Sequence, residues 1–449
     1  MRLNIWMPAS SGAVPMTEER QVRIKVPVLA RVEGEGALDL SINGNEIESL
    51  RLRIYEPPRL FEKFLEGRAW HEVPDMVARI CGICPVAYQM SAVHALEQVF
   101  DIDPGPSVRR WRRLFYCGEW IQSHALHIHL LAAPDFVGFN SVTEMAGQYP
   151  DEVRRGLRLQ ALGNDLIALL GARSVHPVGA CVGGFHRLPT ASEVGTMLAR
   201  LQAGRKDARE LVAWAAGLNL PDDDQAFCSV SVSHPDEYPM NEGRLVSSEG
   251  LDIPIEEFEQ HFEEFQAPYS TALHASLHDG PYLVGPLARI NLNLERLPAG
   301  IRALIEDTGI SFPSRNMFHS IVARAIELLY AIEEAMTVLE EADISGPPHV
   351  PVMPRAGVGF GCTEAPRGLL WHRYETDDKG HIVKAQIVPP TSQNQARIEE
   401  DLHASLQTFG LDRDESALRL HAETVIRNYD PCISCATHFL HMNMECKGK

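Results

Sequence analysis

Positive charge is scarce in this chain: 41 lysines and arginines face 60 aspartates and glutamates, for a formal net charge of −19. A nucleic-acid partner is therefore not expected, because phosphate backbones are held by clustered lysine and arginine. The one basic knot, Arg109-Arg110-Trp111-Arg112-Arg113, is short and reads as a solvated or partner-facing helix end. Long hydrophobic runs are missing too. No stretch reaches eighteen apolar residues, so no transmembrane segment is expected. The opening M-R-L-N-I-W-M-P lacks the apolar core of a secretory signal. Nor do the cysteines form a disulfide framework, since nine in 449 residues are an odd and scattered set. A reducing, cytoplasmic setting fits that usage better. Repeats and low-complexity segments are absent. What remains is 45% hydrophobic and 22% charged, ample for one large core or two to three smaller ones.

Residues 22–55 read as strands, with alternation in V-R-I-K-V and a turn at Asn43-Gly44. From Pro57 the pattern turns helical. Over 107–131, Val108, Trp111, Phe115, Gly118, Gln122, Ala125 and Ile128 recur every three to four residues, one stripe of a long helix. Further helices are expected over 153–171, 191–217 and 314–341, together suggesting a bundle. The stretch 220–300 is mixed, with a strand at Phe227–Val232 and an acidic helix near 254–265. A hairpin is expected over 371–389 around Asp378-Lys379-Gly380. The fold class is mainly α with small α+β parts, built on a long-helix core. Seven segments follow: a β region at 1–56, a helical core at 57–219, a mixed insertion at 220–313, a core helix at 314–345, a β-hairpin region at 346–391, a helical part at 392–438 and a tail at 439–449.

The chemistry concentrates in two C-x-x-C pairs at opposite ends of the chain, Cys81 with Cys84 and Cys432 with Cys435. Each spacing lets two sulfurs grip one ion from a single turn. Four thiolates suit a soft metal, and a structural zinc site is the plain reading of the pairs alone. Thioredoxin-like chemistry would need one pair in a βαβ frame that is missing here. Cys117, Cys181, Cys228, Cys362 and Cys446 have no such partner and read as packing residues. The glycine run Gly357-Val358-Gly359-Phe360-Gly361 has no strand–turn–helix frame and is not read as a nucleotide site.

R-I-C-G-I-C-P (Arg79 to Pro85) together with D-P-C-I-S-C-A-T-H (Asp430 to His438) closely resembles the nickel-binding signatures of the [NiFe]-hydrogenase large subunit. Further motifs extend the resemblance along most of the chain: Arg31-Val32-Glu33-Gly34, Arg59-Leu60-Phe61-Glu62, Glu364-Ala365-Pro366-Arg367-Gly368 and Val388-Pro389-Pro390-Thr391. The fold implied is the one shared with the 49-kDa subunit of respiratory complex I. The resemblance implies that Cys81 and Cys432 are terminal nickel ligands, while Cys84 and Cys435 bridge nickel to an iron carrying carbon monoxide and two cyanides. Pro366 and Arg367 would meet one cyanide and Thr391 the other. Magnesium would be held by Glu62 and His438, with the backbone carbonyl of Ile387 as a further ligand. The implied reaction is reversible heterolytic cleavage of H2, with Cys432 as first proton acceptor, Glu33 as first relay and Arg367 as an assisting base.

Eleven residues follow His438, and they resemble the extension that a maturation endopeptidase removes after this histidine in catalytic members. Two positions depart from the respiratory members. Tyr88 stands where histidine is usual, and Gln122-Ser123-His124 replaces H-D-H. The R-V-E-G-E-G and E-P-P-R-L-F-E text is more similar to the cytosolic bidirectional branch. That branch implies an iron–sulfur small subunit and diaphorase-type partners carrying flavin and NAD(P). No iron–sulfur cluster or flavin is expected on this chain. The alternatives are a hydrogen sensor, or a quinone-binding relative of the complex I subunit that lacks the four cysteines.

Overall fold

The computed structural model of the chain describes residues 21–437. Helix accounts for 48% and strand for 20%, which fixes the class as mainly α. Among the described residues no helix is long and apolar enough to cross a membrane.

Three antiparallel strands, Gln21–Val26, Gly36–Asn43 and Glu46–Ile54, form an N-terminal meander. The second and third are joined at Asn43↔Glu46, where Gly44 takes a positive φ of 60°. Alternate residues of the first strand, Val22, Ile24 and Val26, are buried among apolar side chains of the helices Pro390–Phe409 and Glu415–Asn428. The N-terminal sheet is thereby packed against the last two long helices.

The bundle consists of Gly105–Leu126, Pro150–Gly171, Ala191–Ala216 and Ser320–Glu340. Gly118 and Gly163 let the first two approach backbone to backbone. A Cβ on Gly163 would lie 2.4 Å from the Gln122 nitrogen. The stripe expected over 107–131 is buried, but the helix changes character near its end. Residues His127–Ala132 form a π turn. Pro134 has no N–H to donate back along the helix, and beside it Arg31 Nη1 donates to the Leu131 carbonyl at 2.7 Å.

The acidic helix expected near 254–265 is not there. A short 3-10 turn at Ile255–Glu257 and one α turn at Phe258–His261 lead into the strand Phe262–Gln266, which pairs with Leu273–Leu277. Phe258 stacks on Phe262 at 4.4 Å and on Trp371 at 4.8 Å, so aromatic packing against the neighbouring sheet overrides the local helical pattern.

The expected hairpin is present as Gly368–Thr376 and Ile382–Val388, and it gains a third strand, Gly357–Ala365. That strand is the glycine run. Its glycines let it lie directly on the helix Pro85–Phe100: a Cβ on Gly361 would sit 2.0 Å from the Ser91 carbonyl oxygen, and one on Gly359 2.2 Å from that of Ala95. Gly361→Ala is therefore expected to destabilise the protein by at least about 1–3 kcal/mol, the usual range for overpacking. A lowered thermal unfolding temperature would show it, and an unchanged one would contradict this packing.

Chain ends are stitched together beside the bundle. Glu33 and Cys432 form an isolated parallel bridge, the Ile433 N–H donates to the Glu33 carbonyl at 3.0 Å, and the Arg59 N–H donates to the Thr437 carbonyl at 2.7 Å.

Candidate metal centre

These contacts bring the two C-x-x-C pairs into one place. Sγ of Cys81 is 3.4 Å from that of Cys432, Cys84 is 3.6 Å from Cys435, and Cys432 is 2.8 Å from Cys435. All four sulfurs lie within 4.8 Å of one another, and each cysteine is at most 3% exposed. None is in a disulfide. Among the described residues this is the one group of three or more candidate ligands so arranged.

Local sequence explains how each sulfur is presented. Cys84 immediately precedes the helix Pro85–Phe100, and Pro85 suits its first turn. The Ile83 and Cys84 N–H groups donate to Cys81 Sγ at 3.2 and 3.3 Å. Glu119, reaching from Gly105–Leu126, accepts the otherwise orphaned N–H groups of Val86 and Ala87 at 2.6 and 3.1 Å. At the other end, Asp430 takes φ 57° ahead of Pro431 and turns the chain so that Cys432 leads into the short helix Ile433–Ala436.

Four buried thiols cannot all ionise alone. Hydrogen bonds from Cys432, Cys435 and Cys84 hold the Cys81 thiol well below its usual range, while burial pushes Cys432 well above. Four thiolates so close need a soft cation between them to carry their charge together.

The other expected site residues converge here as well. Glu33 Oε2 accepts from Cys432 Sγ at 3.1 Å and from the Ser434 N–H at 3.0 Å. Arg367 donates through Nε to the Asp430 carbonyl at 2.7 Å and through Nη2 to its carboxylate at 2.9 Å. Burial opposes the Arg367 charge, but Asp430 and the sulfurs raise its pKa well above the usual value. Its Nη1 is buried without a partner among the described residues. Thr391 Oγ1 accepts the Cys432 N–H at 3.0 Å, leaving its hydroxyl proton to donate elsewhere. Pro366 lends its carbonyl to Arg289 at 3.1 Å.

Glu62 and Ile387 also meet, in that the Ile387 N–H donates to Glu62 Oε1 at 2.7 Å. Burial pushes the Glu62 carboxyl up to about 7 despite that bond. His438 and the tail 439–449 lie outside the described residues. At the departures from the usual text, Ser123 is fully buried, and Arg367 takes its carboxylate partner from Asp430.

Several residues of the site escaped sequence reasoning. Ser434 donates from Oγ to Glu56 Oε2 at 3.0 Å, extending the contacts of Glu33 toward the surface. Ser392 Oγ is buried beside Thr391 without a partner among the described residues. Arg289 is held between Glu327 and Glu364, both fully buried, and its Nη1 also donates to the Ala365 carbonyl at 2.8 Å. Burial works against the Glu327 charge, yet Arg289 and His124 bring its carboxyl down to about 2. This cluster clamps the backbone from which Arg367 projects. Serine within C-I-S-C and glutamate before the Pro-Pro step were readable as polar outliers. Nothing local marks Arg289, because its partners come from distant segments.

Comparison with known proteins agrees with this geometry. The family described as nickel-dependent hydrogenase matches residues 59–155 and 238–438. Sulfhydrogenase 1 subunit alpha of Pyrococcus furiosus is 31% identical over 427 residues, covering 93% of this chain and 98% of that protein. The NAD-reducing hydrogenase HoxS subunit beta of Cupriavidus necator is 27% identical, over 93% of this chain and 95% of its own. Among solved structures, an NAD+-reducing [NiFe]-hydrogenase in the H2-reduced state superposes with a TM-score of 0.83 at 29% identity, covering 94% of this chain and all of that one. With its four buried sulfurs in one cluster, the chain belongs to the nickel-dependent hydrogenase family, as the large catalytic subunit of a [NiFe]-hydrogenase.

Proposed function

We propose that Cys81 and Cys432 bind nickel terminally and that Cys84 and Cys435 share it with an iron carrying carbon monoxide and two cyanides. The observation that carries this reading is the buried sulfur quartet. Thiolates are the soft donors that nickel and low-spin iron favour. Three groups suit small anionic or polar ligands on the iron: Arg367 Nη1, the Thr391 hydroxyl and Ser392 Oγ. Arg367 would donate to one cyanide with Pro366 packed beside it, and Thr391 to the other. Glu62, His438 and the backbone at Ile387 would hold magnesium, a hard cation matched to a buried carboxylate. When bound, the bimetallic group supplies the electrophilic centre at which H2 is split into protons and electrons.

The chain's own part is to move the proton. Cys432 sulfur takes it and hands it to Glu33 Oε2, 3.1 Å away. The Ser434 N–H fixes that carboxylate, and the Ser434 hydroxyl links onward to Glu56. Glu56→Gln is expected to slow turnover by about 10²-fold or less, below the contribution of a direct acid–base group. Nickel content should be unchanged, and an unaltered turnover rate would remove Glu56 from the route.

Electrons need a separate exit. The described cysteines outside the quartet form no second cluster, so an iron–sulfur small subunit is the partner this reading requires. The NAD-reducing relative supports NAD(P) as the onward acceptor; transfer there would run through flavin-carrying diaphorase-type subunits in the cytoplasm, with a maturation endopeptidase acting after His438. The test is to purify the complex from its source and assay H2-dependent reduction of a viologen dye and of NAD(P)+. An iron–sulfur subunit should co-purify and both acceptors should be reduced. A metal-loaded chain with no such partner and no H2 uptake would overturn this function, and a complex that reduces the dye alone would overturn the NAD(P) branch.

A further inference from the structure

Asp135 follows the π turn His127–Ala132 and lies in the short helix Ala133–Phe136. Its carboxylate is 2% exposed and takes guanidiniums from opposite ends of the chain. Arg427 grips it with two bonds, Nε to Oδ2 at 2.7 Å and Nη2 to Oδ1 at 2.9 Å, and Arg31 Nη2 donates to the same Oδ1. Arg31 stands two residues before Glu33, and Arg427 five residues before Cys432. The two arms therefore lead to the two groups between which the proton passes. The π turn adds further holds: His127 Nε2 donates to the Arg427 carbonyl at 2.8 Å, and the Leu131 carbonyl accepts from Arg31 Nη1 at 2.7 Å. Arg31 itself has φ 62°, a left-handed backbone that a residue with a Cβ keeps only where its surroundings impose it.

We propose that Asp135 is a positioning residue that sets the Glu33 carboxylate against the Cys432 sulfur, holding the front segment through Arg31 and the rear segment through Arg427. This rests on the reading of Glu33 as the proton relay. Charge-assisted bonds to a buried carboxylate are short and directional, and two of them from one guanidinium fix its plane as well as its distance. Arg31 is pinned to that rigid pair, and its left-handed turn directs the chain into the parallel bridge between Glu33 and Cys432. The bridge aligns the main chains. Proton transfer asks for more, because a misplacement of about 1 Å can cost 10²-fold in rate. The partners of the Asp135 carboxylate are the two arginines, so it acts on the site only through them.

The test uses the intact holoenzyme complex carrying Asp135→Asn, which keeps the shape and removes the charge. Exchange of hydrogen isotopes between gas and water, and the solvent deuterium isotope effect on H2 uptake, are read beside nickel and iron content. With metal content unchanged, exchange should fall by about 10–100-fold. The isotope effect should rise above that of wild type, because proton transfer has become the slow step. A role confined to stability would lower the active fraction and leave the isotope effect where it was. Exchange equal to wild type, or a loss with the isotope effect unmoved, overturns the proposal. If Asp135→Asn takes up no metal, Arg31→Met, which releases only the arm leading to Glu33, is judged by the same two readings. Glu33→Gln exchanging at the wild-type rate would refute the relay itself, a distinct result.

Discussion

Replacing Cys435 by serine is expected to reduce hydrogen turnover to background and to strip nickel from the chain. Cys435 sits 2.8 Å from Cys432 and 3.6 Å from Cys84, so it faces a sulfur of each pair. Serine substitutes a hard, poorly acidic hydroxyl for a soft thiolate, and its shorter bond pulls the donor atom back from the shared position. The site is 1% exposed, so water cannot take the place of the missing ligand. Losing a ligand should exceed the 10–100-fold penalty usual for a residue that only supports one. Nickel analysis and H2 uptake on the purified complex measure both effects together. Full activity with nickel retained would contradict the assignment of Cys435.

Glu33→Gln is expected to separate proton movement from metal binding. The carboxylate oxygen that accepts from Cys432 Sγ also accepts the Ser434 N–H. An amide oxygen can keep both contacts, and the backbone bridge between residues 33 and 432 does not involve the side chain. The metals should therefore stay, with the infrared bands near their original positions. An amide cannot carry a proton through a cycle of uptake and release. Exchange of hydrogen isotopes between gas and water should fall by about 10²–10⁴-fold, the usual weight of a placed acid–base group. An exchange rate equal to wild type would remove Glu33 from the route.

Much of this site is legible in the amino-acid sequence because the chemistry dictates residue types at fixed short spacings. Cys81, Cys84, Cys432 and Cys435 announce themselves, and Glu33, Glu62, Arg367 and Thr391 are readable through the motifs around them. The structure gathers the four sulfurs, sets Glu33 and Thr391 against Cys432, pairs Arg367 with Asp430 and Glu62 with Ile387, while His438 lies outside the described residues. The long helices were readable too, since one apolar stripe every three to four residues leaves little choice of element. Other features depend on partners far along the chain. Arg289 matters because Glu327 and Glu364 close on it from two other segments. The glycine run at 357–361 has the composition of a loop and becomes a strand because a helix backbone lies against it. The segment after Pro254 has helical spacing, yet its aromatics are claimed by Trp371. The helix read over 107–131 gave no sign of the π turn at His127–Ala132, beside which Arg31, from a distant segment, donates to the Leu131 carbonyl.

Elemental analysis of the purified complex, joined with its infrared spectrum, tests the central claim most directly. Nickel and iron bound in equal amounts by this chain, with absorption bands from carbon monoxide and cyanide, are the expected result. Zinc as the sole metal on the four cysteines, with that spectral region blank, would show that the quartet is a structural staple and that no hydrogen chemistry takes place there.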